Sequence, residues 1–364
     1  MRKFFKRLLW GPTTKRFSAW QIELTTNCPL RCRMCVRTGC SEWRHETMPA
    51  EKFRTLLPYL GEVETVVLEG WGESLLHPDL EECVRLVKGA GARVGFVTSG
   101  SGLTEDRLRR LIDEGLDFIG FSIAGVTPGT HNAIRVNSDL ADLVRAIDWA
   151  TEISKRQPGG RPKVHVIFLM LKDNVAEMPD VPQFAAELGV NEVVVLNIVQ
   201  VTDEAQEAQR VFACDGRESP YEDLLRETEE NARKLGVKLT HPALVPSEVA
   251  VCDENPLRNL YISSSGEVSP CVYLYPPVPS PFPRIFCGRE HATEKITFGN
   301  IFTQPFDAIW ENPHYVAFRE RFTRRKQAFD RAYGALLSGG RPEMAGPLPD
   351  PPEPCKTCHK MMGF

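Results

Sequence analysis

The chain has 364 residues, 42% hydrophobic and 25% charged, values of a globular protein and, at roughly 100–200 residues per domain, of about two domains. Its formal charge of −4 excludes the basic footprint of a nucleic-acid binder, and no apolar run approaches the ~18 residues that span a bilayer. The eleven cysteines fall in clusters without a secretory signal, which reads as metal ligation in a reducing, cytoplasmic setting and not as a disulfide framework.

In chain order, residues 1–18 form an extension that opens with the basic and apolar run Met1-Arg-Lys-Phe-Phe-Lys-Arg-Leu-Leu-Trp10. It is too short for a signal sequence. It reads as a short helix under a barrel, or as a surface contact with a membrane or partner. Strands are predicted over 19–25, 63–68, 93–98, 118–123, 164–170 and 193–196, separated by helices over 49–60, 79–90, 103–114, 140–155 and 181–188. Strands alternating with helices at this pitch imply βαβ units and a parallel sheet. Six of them with right-handed crossovers make an α/β fold, a partial (β/α)6 TIM-like barrel with ligands at the strand C-termini. One more helix (221–235) and strand (237–240) follow. Near residue 245 the alternation stops and Pro, Gly and Cys rise, so residues 19–245 are the barrel and 246–364 a small cysteine-rich domain. A hairpin is expected over 261–271, a basic helix over 315–325, and Pro-rich loops over 276–283 and 339–354.

The first predicted strand delivers Cys28-Pro-Leu-Arg-Cys32-Arg-Met34-Cys35, a C-x₃-C-x₂-C run. A zinc site normally takes four protein ligands, and disulfides want even numbers. Three close thiols instead fit an iron–sulfur cube with one iron left open; a chance trio or a zinc knuckle is the alternative. Strand two ends in Glu69-Gly70-Trp71-Gly72-Glu73. The two glycines let backbone approach a ligand, and the Glu73 carboxylate can accept from an ammonium group. The bland alternative is a Gly-rich turn with an exposed acid. Strand three ends in Thr98-Ser99-Gly100, strand four in Ser122-Ile-Ala124-Gly125 followed by His131 and Arg135, and strand six in Leu196-Asn197. For His131 and Arg135 the alternative is a solvated helix start. The second thiol set is Cys252, Cys271, Cys355 and Cys358, with a Gly266-x₄-Cys271 step and a closing Cys355-x₂-Cys358 pair. Four thiolates saturate one iron–sulfur cube, with Cys287 a spare or alternate ligand; a structural zinc Cys₄ site is permitted equally. Cys40, Cys83 and Cys214 read as ordinary buried thiols.

The first cysteine run resembles the signature of the radical S-adenosylmethionine (radical SAM) enzymes. The resemblance implies a [4Fe–4S] cluster on Cys28, Cys32 and Cys35 whose open iron chelates SAM, and reductive cleavage to methionine and a 5′-deoxyadenosyl radical. Gly70, Gly72 and Glu73 are similar to the family's Gly-Gly-Glu motif, which holds the SAM amino group, although Ser74 stands where Pro is usual. Ser99 replaces the Asn of a Thr-Asn-Gly turn. Ser122 and Arg135 stand where the family places residues near the methionyl group, with Ala124 in place of an acid. Met34 takes the place of an aromatic residue near adenine, and Asn197 neighbours adenine or substrate. The second thiol set resembles the SPASM/twitch extension, and its four cysteines imply one auxiliary [4Fe–4S] cluster where the full pattern holds two. Trp43, Met48 and Leu76-His77-Pro78-Asp79, taken with the Gly-Trp-Gly-Glu turn, are similar to a subgroup that modifies the cofactor of tungsten aldehyde oxidoreductases.

The resemblance thus implies hydrogen abstraction from a small molecule, cofactor or peptide, by way of modification, maturation or dehydrogenation, fed by a donor such as ferredoxin or flavodoxin. The first strand is reached within about twenty residues, so no peptide-recognition module is expected before the barrel, which favours a small substrate, or a peptide presented by a partner. A non-catalytic iron–sulfur or zinc scaffold is the rival class.

Overall fold

Six strands follow one another in sequence and in space: β1 (Phe17–Ile22), β2 (Val63–Val67), β3 (Arg93–Thr98), β4 (Phe118–Ile123), β5 (Lys163–Met170) and β6 (Glu192–Asn197). All pair in parallel. This computed structural model describes residues 15–157, 159–337 and 347–364; the basic run 1–10 lies outside them. Alternation along the strands sorts the two faces. In β2, Thr65 and Val67 line an interior cavity, whereas Val66 packs outward into the helix-covered core. The helix Leu80–Gly89 answers with Leu80, Cys83, Val84 and Val87, one face at helical spacing.

The helix expected over 49–60 is two short ones, Ala50–Arg54 and Leu57–Leu60. Pro58 has no N–H to return to the Arg54 carbonyl, so the ladder breaks there. The basic helix extends further than expected, from Pro313 to Leu337. The Pro-rich stretch near 280 is not all loop: β10 (Phe282–Phe286) and β11 (Arg289–Thr293) form an antiparallel hairpin, in which Pro283 stands on a strand with a single partner, a place that tolerates its missing N–H.

β7 (Lys238–Thr240) adds to the free edge of β6. On the opposite edge β8 (Asn259–Ile262) pairs in parallel with β1 and turns back into β9 (Val268–Ser269). One nine-stranded sheet therefore runs β7-β6-β5-β4-β3-β2-β1-β8-β9, crossing the change of composition near residue 245. The core is likewise continuous, from Phe17 and Trp20 through Phe306 to Phe364. Among the described residues no helix is long and apolar enough to cross a membrane.

Candidate active site

The cysteine loop starts where β1 ends and is held from two sides. The Arg31 and Arg33 amides donate to the carbonyls of Val136 and Ile134, so the loop lies along the segment carrying Arg135. The Cys35 amide and the Thr38 hydroxyl both donate to the Cys32 carbonyl, at 3.1 and 2.8 Å, which curls the run back on itself. Burial pushes the Cys28 thiol up to about 11 and raises Cys35 as well, while Arg37 and Arg135 act in the opposite sense on Cys35. Buried thiols of this kind ionise only with a cation at hand, and the irons of a cluster supply it; the donor set fits.

Glu73 is buried, and its carboxylate is full. It accepts from the Thr98 hydroxyl (2.7 Å), from the Ser99 amide and hydroxyl (2.8 and 2.7 Å) and from the Leu75 amide (3.2 Å). Those four bonds take the capacity of an ionised carboxylate. Glu73 and Ser99 thus lock the ends of β2 and β3 together, and Glu73 is not the exposed acid of a bland turn. The glycines serve a close approach to the chain's own backbone. A Cβ on Gly72 would stand 2.2 Å from the Thr25 carbonyl oxygen, and one on Gly70 2.4 Å from Glu23 Oε1. The turn is thereby pressed onto the stem of the cysteine loop, and the Glu73 amide donates to Asn27 O.

At the end of β4 the structure corrects one alternative: His131 is fully buried, not a solvated helix start. Its Nδ1 stands 3.3 Å from the Ala124 amide and Nε2 3.1 Å from Ser138 Oγ, and burial lowers its pKa to about 4. Arg135 ends the helix Pro128–Ile134; its buried Nε has no hydrogen-bond partner and the side chain lines the cavity. An orphaned guanidinium nitrogen beside the cysteine loop fits a carboxylate such as that of SAM. Met34 packs against Ala124, Leu171 and Ile198. Ser122, Leu196 and Asn197 also line the cavity. Sequence reasoning missed Glu177 and Asn174. Glu177 accepts from the Val126 and Thr127 amides and from the Thr127 and Thr130 hydroxyls; Asn174 bridges the Ala124 and Leu169 carbonyls. The partners of Glu177, and the Ala124 carbonyl that Asn174 holds, lie about fifty residues away, which leaves no local pattern to find.

The cavity holds about 500 Å³ and passes from Gly70 and Arg135 to Cys271, Tyr273 and Lys360. Cys271 lines that far end, and burial raises the Cys252, Cys271 and Cys355 thiols, with Glu254 adding to the effect on the first two and neighbouring thiols on all three. Glu254 and Lys360, both enclosed, pair at 3.9 Å beside them. Cys287 and Cys214 are corrected: neither is a spare ligand nor an ordinary thiol, since they form a disulfide, with the His359 ring nitrogen accepting from the Cys287 amide at 3.3 Å. The pair joins the loop after β6 to the β10–β11 turn.

Residues 22–185 match the radical SAM superfamily, and residues 252–332 match SPASM, an iron–sulfur cluster-binding domain. The chain belongs to the radical SAM superfamily and carries a SPASM domain, whose implied cofactors are a SAM-bound [4Fe–4S] cluster and auxiliary iron–sulfur ligation. It is 27% identical over 309 residues to the tungsten-containing aldehyde ferredoxin oxidoreductase cofactor-modifying protein of Pyrococcus furiosus, covering 82% of each chain. It is 24% identical over 350 residues to the PqqA peptide cyclase of Bradyrhizobium diazoefficiens, covering 93% of this chain and 77% of the cyclase. Among solved structures, Streptococcus suis SuiB bound to S-adenosylmethionine shares the fold at a TM-score of 0.60 and 13% identity, over 83% of this chain and 67% of that one. Native anSMEcpe with bound AdoMet does so at 0.56 and 13%, over 82% of each.

Proposed function

We propose that this radical SAM enzyme binds SAM at the C-terminal ends of β1 to β6 and modifies a small substrate held between the two cysteine sets. Cys28, Cys32 and Cys35 would hold the cluster, with Arg135, Ser122 and the Gly70–Gly72 turn around SAM, and Met34 and Asn197 flanking it. Glu73 and Ser99 act as positioning residues that fix this turn. Bound there, the cluster and SAM supply a 5′-deoxyadenosyl radical for hydrogen abstraction. The observation that carries the reading is the single cavity joining the Arg135 end to the Cys271 end. At about 500 Å³ it falls within the ~300–1,000 Å³ range of small-ligand sites, which favours a small molecule or cofactor over a long peptide. The Pyrococcus relative's name fits that choice and the peptide cyclase's does not. A low-potential donor such as ferredoxin or flavodoxin would feed the first cluster, in the cytoplasm.

Cys252, Cys271, Cys355 and Cys358 would occupy every iron of one auxiliary cube, leaving no place for a substrate ligand. That supports an electron-accepting site and a dehydrogenation as the second reading. The test is the Cys355→Ala/Cys358→Ala variant under anaerobic reduction. It is expected to form 5′-deoxyadenosine yet not to finish product, once iron content and circular dichroism show a folded barrel. Normal product formation would make the second site structural.

A further inference from the structure

The geometry points to a substrate class: we propose that the cavity takes its substrate by a positively charged nitrogen anchored on the Glu69 carboxylate. The inference rests on the reading of this cavity as the substrate site. Glu69 follows β2 and faces the cavity. Unlike Glu73 and Glu23, whose oxygens are engaged by the chain, the Glu69 carboxylate has no hydrogen bond or ion pair among the described residues. The acids and bases on the lining do not balance. Glu69, Asp253 and Glu254 stand against Arg135, Lys360 and His165; Lys360 is already paired with Glu254 and His165 Nδ1 stands 3.3 Å from Glu192, which leaves Glu69 and Asp253 facing Arg135.

The neutral lining leans the same way. Asn197 Oδ1 and Asn259 Oδ1 are buried acceptors without partners, and both residues line the cavity; the unpartnered Thr65 hydroxyl beside them can accept as well as donate. Asn197 commits its amide nitrogen to Ala243 O, so what it turns to a ligand is its acceptor. The unpartnered donors on the lining, Arg135 Nε and Trp71 Nε1, belong to the segments beside the first cysteine loop. A buried acceptor without a donor costs about 1–3 kcal/mol, and ionising a buried carboxyl with no cation beside it costs more. A ligand rich in N–H groups and carrying positive charge relieves both; an alcohol or an acid does not.

Burial, with the Glu254 and Glu73 carboxylates alongside, holds the Glu69 carboxyl at about 8. Arg135, on the same lining, and Lys360, beyond Glu254, are the positive groups nearby. A cation favours the ionised carboxylate, so binding at pH 7 releases a proton.

The test uses the anaerobically reconstituted, SAM-loaded full chain and isothermal titration calorimetry at pH 7, in two buffers of different ionisation enthalpy. Agmatine and butylammonium are compared with butanol and butyrate. The expected result is at least tenfold tighter binding of the cations, with release approaching one proton per site, and loss of both preference and release in Glu69→Gln. Equal or tighter binding of butanol or butyrate, no measurable cation binding, or a Glu69→Gln variant that keeps the preference would each overturn the anchor. The wild-type comparison stands even where the variant does not fold. Acetyl-Gly-Arg-Gly-amide is the second arm: binding with the same Glu69 dependence supports the anchor and puts the nitrogen on a peptide side chain. Formation of 5′-deoxyadenosine by the same sample tests the enzyme reading separately. Cleavage without cation preference sinks only the anchor, and cation preference without cleavage sinks only the reading.

Discussion

Glu73 shows how one side chain organises the SAM end of the barrel. Glu73→Gln keeps the shape but turns a donor group toward Thr98 or Ser99, both of which already donate. Each donor left unmatched costs about 1–3 kcal/mol, and about 1.4 kcal/mol is a decade of affinity. SAM binding is therefore expected to weaken tenfold or more at unchanged iron content, measured by equilibrium titration. An unchanged dissociation constant would remove Glu73 from this role. Glu69 makes a different prediction. Its carboxyl is raised to about 8, and Glu23, also by burial, to about 7. Such groups contribute stability in full below their ordinary value near 4.5, and that contribution is lost as pH rises through the folded pKa. His131, held at about 4, acts in the opposite sense, its contribution fading as pH falls from about 6.5 to 4. Between pH 7 and 8 Glu69 dominates, so the wild type should lose about 1 kcal/mol that Glu69→Gln retains. Thermal unfolding of the anaerobic protein at the two pH values checks it. None of this was legible in the sequence, where Glu69 and Glu73 bracket one turn as equals. What separates them is that β3 brings Thr98 and Ser99 to one and nothing to the other.

Among the elements, the parallel strands read well because their apolar runs are buried on both faces. β3 and β4 coincide with their predicted spans. What sequence spacing could not show was pairing across distance. Nothing local in Asn259–Ile262 says that it joins β1, and the prolines near 280 hid a hairpin. The helix Pro313–Leu337 carries another such device. Fully buried Arg325 donates to the carbonyls of Ala250, Val249 and Pro349 and to Glu248. It thereby fixes the segment that leads into Cys252. Arg325→Met leaves three carbonyls without their donor, at about 1–3 kcal/mol each. The expected outcome is early loss of the auxiliary iron to a chelator while SAM cleavage persists. Chelator resistance equal to the wild type would mean that the helix does not support the second site.

At the scale of the whole molecule, the two cysteine sets were legible as sets, because thiol spacing is a local pattern. Their relation was not. It depends on β8 closing onto β1 and on the C-terminal turn packing against the loop after β6, where Phe364 stacks on Phe212 at 4.0 Å. The result is one cavity that runs from Arg135, on the segment beside the first cysteine loop, to Cys271 of the second set. The central claim is that the first set drives SAM cleavage independently of the second. The direct measurement is iron content together with 5′-deoxyadenosine formation in Cys28→Ala/Cys32→Ala/Cys35→Ala, beside the wild type, after anaerobic reconstitution and reduction. The wild type should carry about eight irons, four per cube, and form 5′-deoxyadenosine; the variant should keep about four and form none. Undiminished cleavage by the variant, or a wild type holding about four irons and one zinc, would contradict the account.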